Sequence, residues 1–308
     1  MRIRPTLTWT AAAGETWSRT TDLSEVVGVV AEGGVVVLSG AGLSTESGIP
    51  DYRGEGGSLR RHTPMTYQDF TATEAARQRY WARSHLGWRT IARAAPNTGH
   101  HAVAALREQG YLSGVITQNV DGLHQAAGTV DAVELHGSLD RVICLGCRHT
   151  SPREELDRRL RAANPAFDGT ATRINPDGDV ELADDVVRRF RLVDCAECDG
   201  GGVLKPDVVF FGENVPRARV QQCYDLVDDA RALLVLGSSL TVMSGLRFVR
   251  RAAEAGKPVL IVNHGATRGD RYATVRVDLP LGRALTELST RLESSTDRQR
   301  EDAQARCG

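Results

Sequence analysis

The stretch Val35–Arg53, VVVLSGAGLSTESGIPDYR, decides how the rest of the chain is read. Val35 to Leu38 are four apolar residues, three of them β-branched. They describe a buried strand too short to be a helix. The strand breaks into Ser39-Gly40-Ala41-Gly42, where missing Cβ atoms let the backbone turn sharply and pass close to a ligand. Successive N–H groups in such a turn can face an anion. A strand feeding a glycine turn is how doubly wound folds receive a dinucleotide pyrophosphate. Taken alone the signal is incomplete, because Thr45 stands where the dinucleotide fingerprint has its third glycine. A tight strand-to-helix turn with no ligand would look the same.

The remaining strands weigh toward a ligand. Strands are expected at Leu112–Thr117, Ala132–Leu135, Leu233–Leu236, Val259–Val262 and Val275–Leu279. Helices are expected at Asp22–Ala31, Thr66–Arg93, His100–Gln109 (with Gly110 as its stop), Arg217–Ala230 and Gly245–Ala255. This alternation predicts a parallel sheet covered on both faces. Glycine or polar residues follow most of these strands: Gly40 to Gly42, Gln118 to Asp121, His136, Gly237 to Ser239, and Asn263. Open α/β sheets bind ligands outside the carboxyl ends of their strands. A glycine-rich segment, Gly54 to Ser58, follows the opening motif and reads as a mobile loop of the kind that carries substrate contacts.

Composition narrows the function classes. The chain has 308 residues, with a net charge of −1 and a pI near 6.7. No overall basic field argues for nucleic acid. No apolar run is long enough to span a membrane. The first twenty residues contain no secretory apolar region. Glu15 and Asp22 weigh against a transit peptide, so a soluble cytoplasmic protein is expected. Lysine occurs only at Lys205 and Lys257 while arginine is abundant, which reads as coding bias without functional content.

Four of the six cysteines form two C-x-x-C pairs, Cys144/Cys147 and Cys195/Cys198. Two such knuckles complete a tetrahedral four-thiolate site, so a structural metal ion, preferably zinc, is expected. A redox dithiol is the competing reading of a C-x-x-C pair. Cys144 to Gly202 is charged, interrupted by prolines, and reads as an irregular inserted module. Cys223 lies on a helix and is expected to be buried.

These residues resemble a known family. GAGLSTESGIPDYR (Gly40–Arg53), TQNVDGLH (Thr117–His124), ELHG (Glu134–Gly137), LKPDVVFFGE (Leu204–Glu213), GSSL (Gly237–Leu240), VN (Val262–Asn263) and the two cysteine pairs are similar to the sirtuins. Sirtuins are NAD-dependent protein lysine deacylases. The likeness runs in order from about Asp22 to Leu292. RQRYWAR (Arg77–Arg83), LHGSLDRVICLGC (Leu135–Cys147) and NPDGDVEL (Asn175–Leu182) look most like the class II, sirtuin-four-like branch.

The resemblance implies an α/β fold, a Rossmann-like parallel sheet domain with a smaller helical and zinc-ribbon domain inserted. The catalytic domain would span 22–292, after an N-terminal extension at 1–21 and before a disordered tail at 293–308. Its large part would take 22–55, 97–140 and 203–292. The small part would take a helical module at 56–96 and a zinc module at 141–202.

The resemblance also assigns residues. Gly40, Ala41 and Gly42 would line the pyrophosphate, and Asp51, Tyr52 and Arg53 would sit near the nicotinamide. Tyr52 replaces the commoner phenylalanine. Gln118, Asn119 and Asp121 would hold the ribose and nicotinamide. Ser238, Ser239, Asn263 and the Leu281 backbone would reach the adenosine half. Ser44 and Gly237 join the cofactor set. Val209, Phe210, Phe211 and Gly212 would pair with the substrate backbone as a strand. His136 would act as general base, with Asn119 beside it. A histidine at such a strand end is expected to titrate near neutral pH. The implied reaction transfers the acyl group of lysine to ADP-ribose and releases nicotinamide. The implied partners are acyl-lysine proteins, met by a monomer that engages neither nucleic acid nor membrane.

Tyr80 and Arg83 share a helix face at i, i+3. They resemble the pair with which class III sirtuins read acidic acyl groups, so acidic, branched or bulky acyl chains are expected over acetyl. Two other function classes use the same residues: protein ADP-ribosyl transfer, and non-catalytic NAD binding.

Overall fold

The computed structural model describes residues 19–53, 64–167, 175, 178, 180–198 and 201–307, with side chains through 295. Two sheets organise it. The larger has six parallel strands: β1 (Val35–Ser39), β2 (Leu112–Thr117), β3 (Val133–Glu134), β7 (Ala232–Leu236), β8 (Val259–Val262) and β9 (Val275–Val277). Their order is β3-β2-β1-β7-β8-β9. The order therefore reverses between β1 and β7, which opens a crevice at their carboxyl ends.

Alternate residues of β1 feed opposite cores. Val35 and Val37 join the core closed by α1 (Ser24–Ala31), α4 (Thr98–Glu108) and α10 (Leu281–Cys307). Val36 and Leu38 join the core closed by α8 (Arg217–Asp229) and α9 (Met243–Glu254). A strand buried on both faces must be apolar throughout, which is why VVVL carries no alternation.

The second sheet was not legible in the sequence. It is antiparallel, in the order β5-β4-β6, from β4 (Gly137–Cys144), β5 (Thr150–Pro152) and β6 (Leu204–Val208). Lys205 and Pro206 disguise β6, yet a proline is tolerated there because β6 is an edge strand. The sheet change comes at Gly137; the expected large-part limit of 140 falls within β4, and β6 begins just after the limit of 203.

Three further expectations are corrected. The helix foreseen over Thr66–Arg93 is two, α2 (Tyr67–Ala72) and α3 (Glu74–Ile91). Thr73 is extended between them and its hydroxyl accepts from Ala76 N at 3.1 Å, an N-cap that restarts the helix. Besides the short α5 (Leu123–Ala126) ahead of it, the inserted module holds the short α7 (Asp184–Val187) and a regular helix, α6 (Arg153–Ala163). Its inward face carries Arg153 and Asp157 with Leu156 and Leu160, so charge hides the apolar period. The tail expected to be disordered from 293 continues α10 to Cys307, since no proline or glycine interrupts 283–307.

Within the expected N-terminal extension, Thr20 pairs with Val277 at the outer edge of the large sheet. The loop foreseen at Gly54 to Ser58 lies outside the described residues, as do 1–18. Among the described residues no helix is long and apolar enough to cross a membrane.

Candidate functional site

The glycines of the opening motif serve the fold before any ligand. A Cβ on Gly40 would lie 2.7 Å from the Ser238 Cβ, and one on Gly42 would lie 2.8 Å from the Gly237 carbonyl oxygen. Gly237 has φ +61°, and its own Cβ would meet Leu43 N at 2.7 Å. Two loops thus meet backbone to backbone at the strand-order reversal. Gly40 N donates to Leu236 O and Gly42 N to Gly237 O, both at 2.9 Å. The expected row of N–H groups facing an anion is therefore partly consumed by β7. After Gly40 the chain takes two short 3-10 turns, Ala41–Leu43 and Thr45–Ser47.

The end of β2 is tied to the same loop. Asn119 Nδ2 donates to Gly40 O at 3.1 Å and to Ser44 Oγ at 3.0 Å. Ser44 Oγ donates to Asp121 Oδ2 at 2.7 Å. Burial raises the Asp121 carboxyl above its ordinary range, against the Ser44 hydrogen bond. Gln118 Nε2 donates to Ser238 Oγ at 2.8 Å, which links β2 to β7. Asn263, after β8, donates to the carbonyls of His264 and Gly265. Leu281 opens α10, buried against Gly237. Asp51, Tyr52 and Arg53 are half-buried, and Tyr52 meets Phe211 edge-on at 6.0 Å. The crevice therefore brings Gly40, Gly42, Ser44, Gln118, Asn119, Asp121, Gly237 and Ser238 together at the carboxyl ends of β1, β2 and β7.

His136 stands where the chain leaves one sheet for the other. Leu135 N still donates to Thr117 O in the large sheet, and Val209 N already donates to His136 O beside the small one. Gly137 makes the turn at φ +83°, and a Cβ there would lie 1.9 Å from Asp207 O. His136 Nδ1 lies 2.9 Å from Gln118 O. A carbonyl only accepts, so Nδ1 carries the proton and Nε2 the lone pair. Nε2 accepts from Ser244 Oγ at 2.8 Å, a partner that sequence reading missed. Burial pushes His136 down to about 4, with Arg219 and Arg247 opposing its charge. The expectation of near-neutral titration is thus corrected: the imidazole is a neutral acceptor throughout the physiological range.

Behind the crevice lie two more histidines that sequence reading passed over. His124 Nε2 is 2.8 Å from Ser39 Oγ, and His100 Nε2 is 3.5 Å from Ser44 Oγ. Their rings meet edge-on at 5.3 Å. Burial lowers His100 to about 4 and His124 to about 3.

The segment after β6, Val209–Gly212, runs directly past His136. Tyr67 N donates to Phe211 O at 2.9 Å, and Gln68 Nε2 to Gly212 O at 3.1 Å. Tyr80 is 5 % exposed, packed against Phe70 at 5.4 Å and Phe210 at 5.2 Å. Arg83 Nε donates to the Val180 carbonyl. The expected acyl-reading pair therefore has its phenol on the strand segment and its guanidinium on the inserted module.

The cysteine pairs converge. All four Sγ atoms lie within 4.8 Å of one another, with Cys144–Cys198 at 3.5 Å and Cys147–Cys195 at 3.8 Å. Tetrahedral zinc with ~2.3 Å bonds needs sulfurs about 3.8 Å apart, so the donor set fits one such ion. Gly146 N donates to Cys144 Sγ at 3.3 Å. A Cβ on Gly202 would come within 2.5 Å of Cys144 Sγ, so only glycine fits there. Cys223 is buried on α8, as expected.

Comparison with known proteins agrees with this geometry. The Sir2 family matches residues 40–244. NAD-dependent protein deacetylase 1 of Streptomyces coelicolor is 69 % identical over 292 residues, covering 95 % of this chain and 97 % of that protein. NAD-dependent protein deacetylase 1 of Mycobacterium avium is 52 % identical, over 82 % of this chain and 90 % of its own. NAD-dependent protein deacylase SIR4 of Batrachochytrium dendrobatidis is 45 % identical, over 84 % and 90 %. Among solved structures, a Sir2 enzyme aligns with TM-score 0.71 at 30 % identity, over 88 % of this chain and 98 % of its own. A Sir2–p53 peptide–NAD+ complex aligns with TM-score 0.69 at 28 % identity, over 90 % and 99 %.

Proposed function

The chain belongs to the Sir2 family, and from that premise we propose that it is an NAD-dependent protein lysine deacylase working on acyl-lysine proteins. The observation that carries this reading is the position of His136. Its unprotonated Nε2 lies at the junction of the dinucleotide crevice and the Val209–Gly212 segment. When bound, NAD supplies a ribose carbon from which nicotinamide departs as the acyl oxygen arrives. The chain's own residues do the rest. Asn119, Ser44 and Asp121 hold the nicotinamide end through the hydrogen bonds they already share. Gln118 holds the ribose and ties its loop to Ser238, which with Asn263 and Leu281 takes the adenosine half. With NAD bound, Nε2 of His136, which now accepts from Ser244, would accept from a ribose hydroxyl and take its proton. Val209 to Gly212 receive the substrate backbone as an added strand. The four cysteines would hold one structural zinc ion, with no open position for chemistry.

We place the enzyme in the class II, sirtuin-four-like branch and infer a preference for acidic, branched or bulky acyl groups over acetyl. The stretches around Tyr80, Leu135 and Asn175 support the branch, as does the likeness to the fungal deacylase. Tyr80 in contact with Phe210 supports an acyl pocket bounded by α3. Nicotinamide release across acetyl, succinyl, methylglutaryl-type, lipoyl and long-chain acyl-lysine peptides tests the preference. Acetyl turning over fastest, with Arg83→Ala leaving the ranking unchanged, would reject it.

A further inference from the structure

Of the 38 basic residues only Lys205 and Lys257 are lysines, and each directs its ammonium at a cluster of main-chain carbonyls. An ammonium offers three donors from one compact centre, whereas a guanidinium offers a planar fork. Lys257 Nζ donates to three carbonyls, Val227 O at 2.9 Å, Ala230 O at 2.6 Å and Asp228 O, and so closes the C-terminus of α8. Lys205 is 3 % exposed and likewise spends all three donors. They reach Pro206 O at 3.0 Å, Val208 O at 2.5 Å and Glu213 Oε2 at 3.2 Å.

The Lys205 contacts converge on the segment that follows β6. Glu213 Oε2 also accepts from Phe210 N at 2.9 Å, and Glu213 N donates to Phe210 O at 3.0 Å. The ammonium lies 4.8 Å from the Phe210 ring centroid, over a ring whose other contacts are Phe70 and Tyr80. One buried cation therefore fixes the backbone at Val208, the carboxylate at Glu213 and the ring at Phe210 between them.

We propose that Lys205 and Glu213 form a positioning brace that presets Val209–Gly212 for the substrate peptide, so that they govern peptide affinity and not cofactor affinity. The proposal rests on the reading that this segment receives the peptide. A strand that adds to a sheet edge binds through main-chain hydrogen bonds, whose strength depends on the receiving backbone being ordered beforehand. Neither side chain belongs to the crevice end of β1, β2, β7 or β8, so the brace separates the two substrates physically.

The test is initial-rate kinetics on Lys205→Met and Glu213→Gln, singly and together, with the acyl-lysine peptide that wild type turns over fastest. Peptide and NAD are varied in turn, and Phe211→Ala serves as a control on the peptide site itself. The brace predicts a rise of about tenfold in peptide KM for each single variant, ~1.4 kcal/mol of lost binding. It predicts an NAD KM within twofold of wild type and a double variant little worse than either single one. Glu213→Gln is isosteric at a partly exposed side chain, and it decides the matter should Lys205→Met not fold. Peptide KM unchanged in Glu213→Gln while Phe211→Ala raises it would overturn the brace and leave the peptide site standing. Unchanged peptide KM in Phe211→Ala as well would overturn both. Equal rises in peptide and NAD KM would show a general loosening of the fold and reject the assignment.

Discussion

His136, His100 and His124 share one physical circumstance: desolvation holds each neutral, at about 4, about 4 and about 3, with His100 and His124 fully buried and His136 half-buried. The unfolded chain protonates histidine near 6.5, so below that pH it binds more protons than the native state. Stability is therefore full above pH 6.5 and is lost as pH falls toward 4. Each group contributes a slope of about 1.4 kcal/mol per pH unit across that window. Urea unfolding midpoints at pH 7.5, 6 and 5 check this; a midpoint indifferent to pH would contradict it. The same depression sets the acid limb of activity. With native protein verified at each pH, kcat/KM should hold below pH 6, where an unperturbed histidine would already be mostly protonated. Ser244→Ala removes the hydroxyl on Nε2 and should change kcat by less than about tenfold, since a ribose hydroxyl replaces it during turnover. His136→Ala should abolish turnover while leaving NAD binding measurable by calorimetry.

At the scale of elements, glycine positions separate sharply by what surrounds them. Gly137→Ala would drive a Cβ into Asp207 O at a backbone angle unfit for side chains, between the two sheets. Its cost should exceed about 3 kcal/mol. Gly110→Ala, after α4, has the same left-handed φ but open space around it, and should cost about 1 kcal/mol. Thermal melts of the two variants distinguish a positional requirement from a merely conformational one. This contrast also explains what sequence reading could reach. The β1 strand and its glycine turn were legible, because four apolar residues and two glycines are local signals. That Gly40 and Gly42 answer to Gly237, and His136 to Ser244, was not, because those partners lie more than a hundred residues away. The antiparallel sheet stayed hidden for a different reason: β4 and β6 carry charge and proline at positions that only an edge or a junction tolerates. The cysteine pairs were readable from spacing alone. Cys198→Ser should lose the bound metal equivalent, measured by atomic absorption, and lower Tm by about 10 °C. A variant that keeps both metal and Tm would contradict a structural zinc.

For the molecule as a whole, the parallel sense of the large sheet followed from alternating elements, and the end of the strands where polar residues gather followed from where those residues fell; the strand order did not. The placement of the small sheet did not either, since β4 and β6 flank the inserted module while β5 lies within it. The engagement of both ammonium groups has a consequence for the chain's own chemistry. With every Nζ donor engaged, the native protein should resist lysine acylation by reactive acyl thioesters. Intact mass should show no adduct beyond the N-terminal amine until the protein is denatured. The central claim is that the crevice and the Val209–Gly212 segment meet at one neutral histidine to move an acyl group onto ADP-ribose. It is tested most directly by mass spectrometry of a single reaction containing NAD and an acyl-lysine peptide. Nicotinamide, free-lysine peptide and O-acyl-ADP-ribose should appear in equal amounts, and all three should vanish together in His136→Ala. Nicotinamide released with the acyl group still on lysine, and ADP-ribose attached to protein instead, would contradict the account.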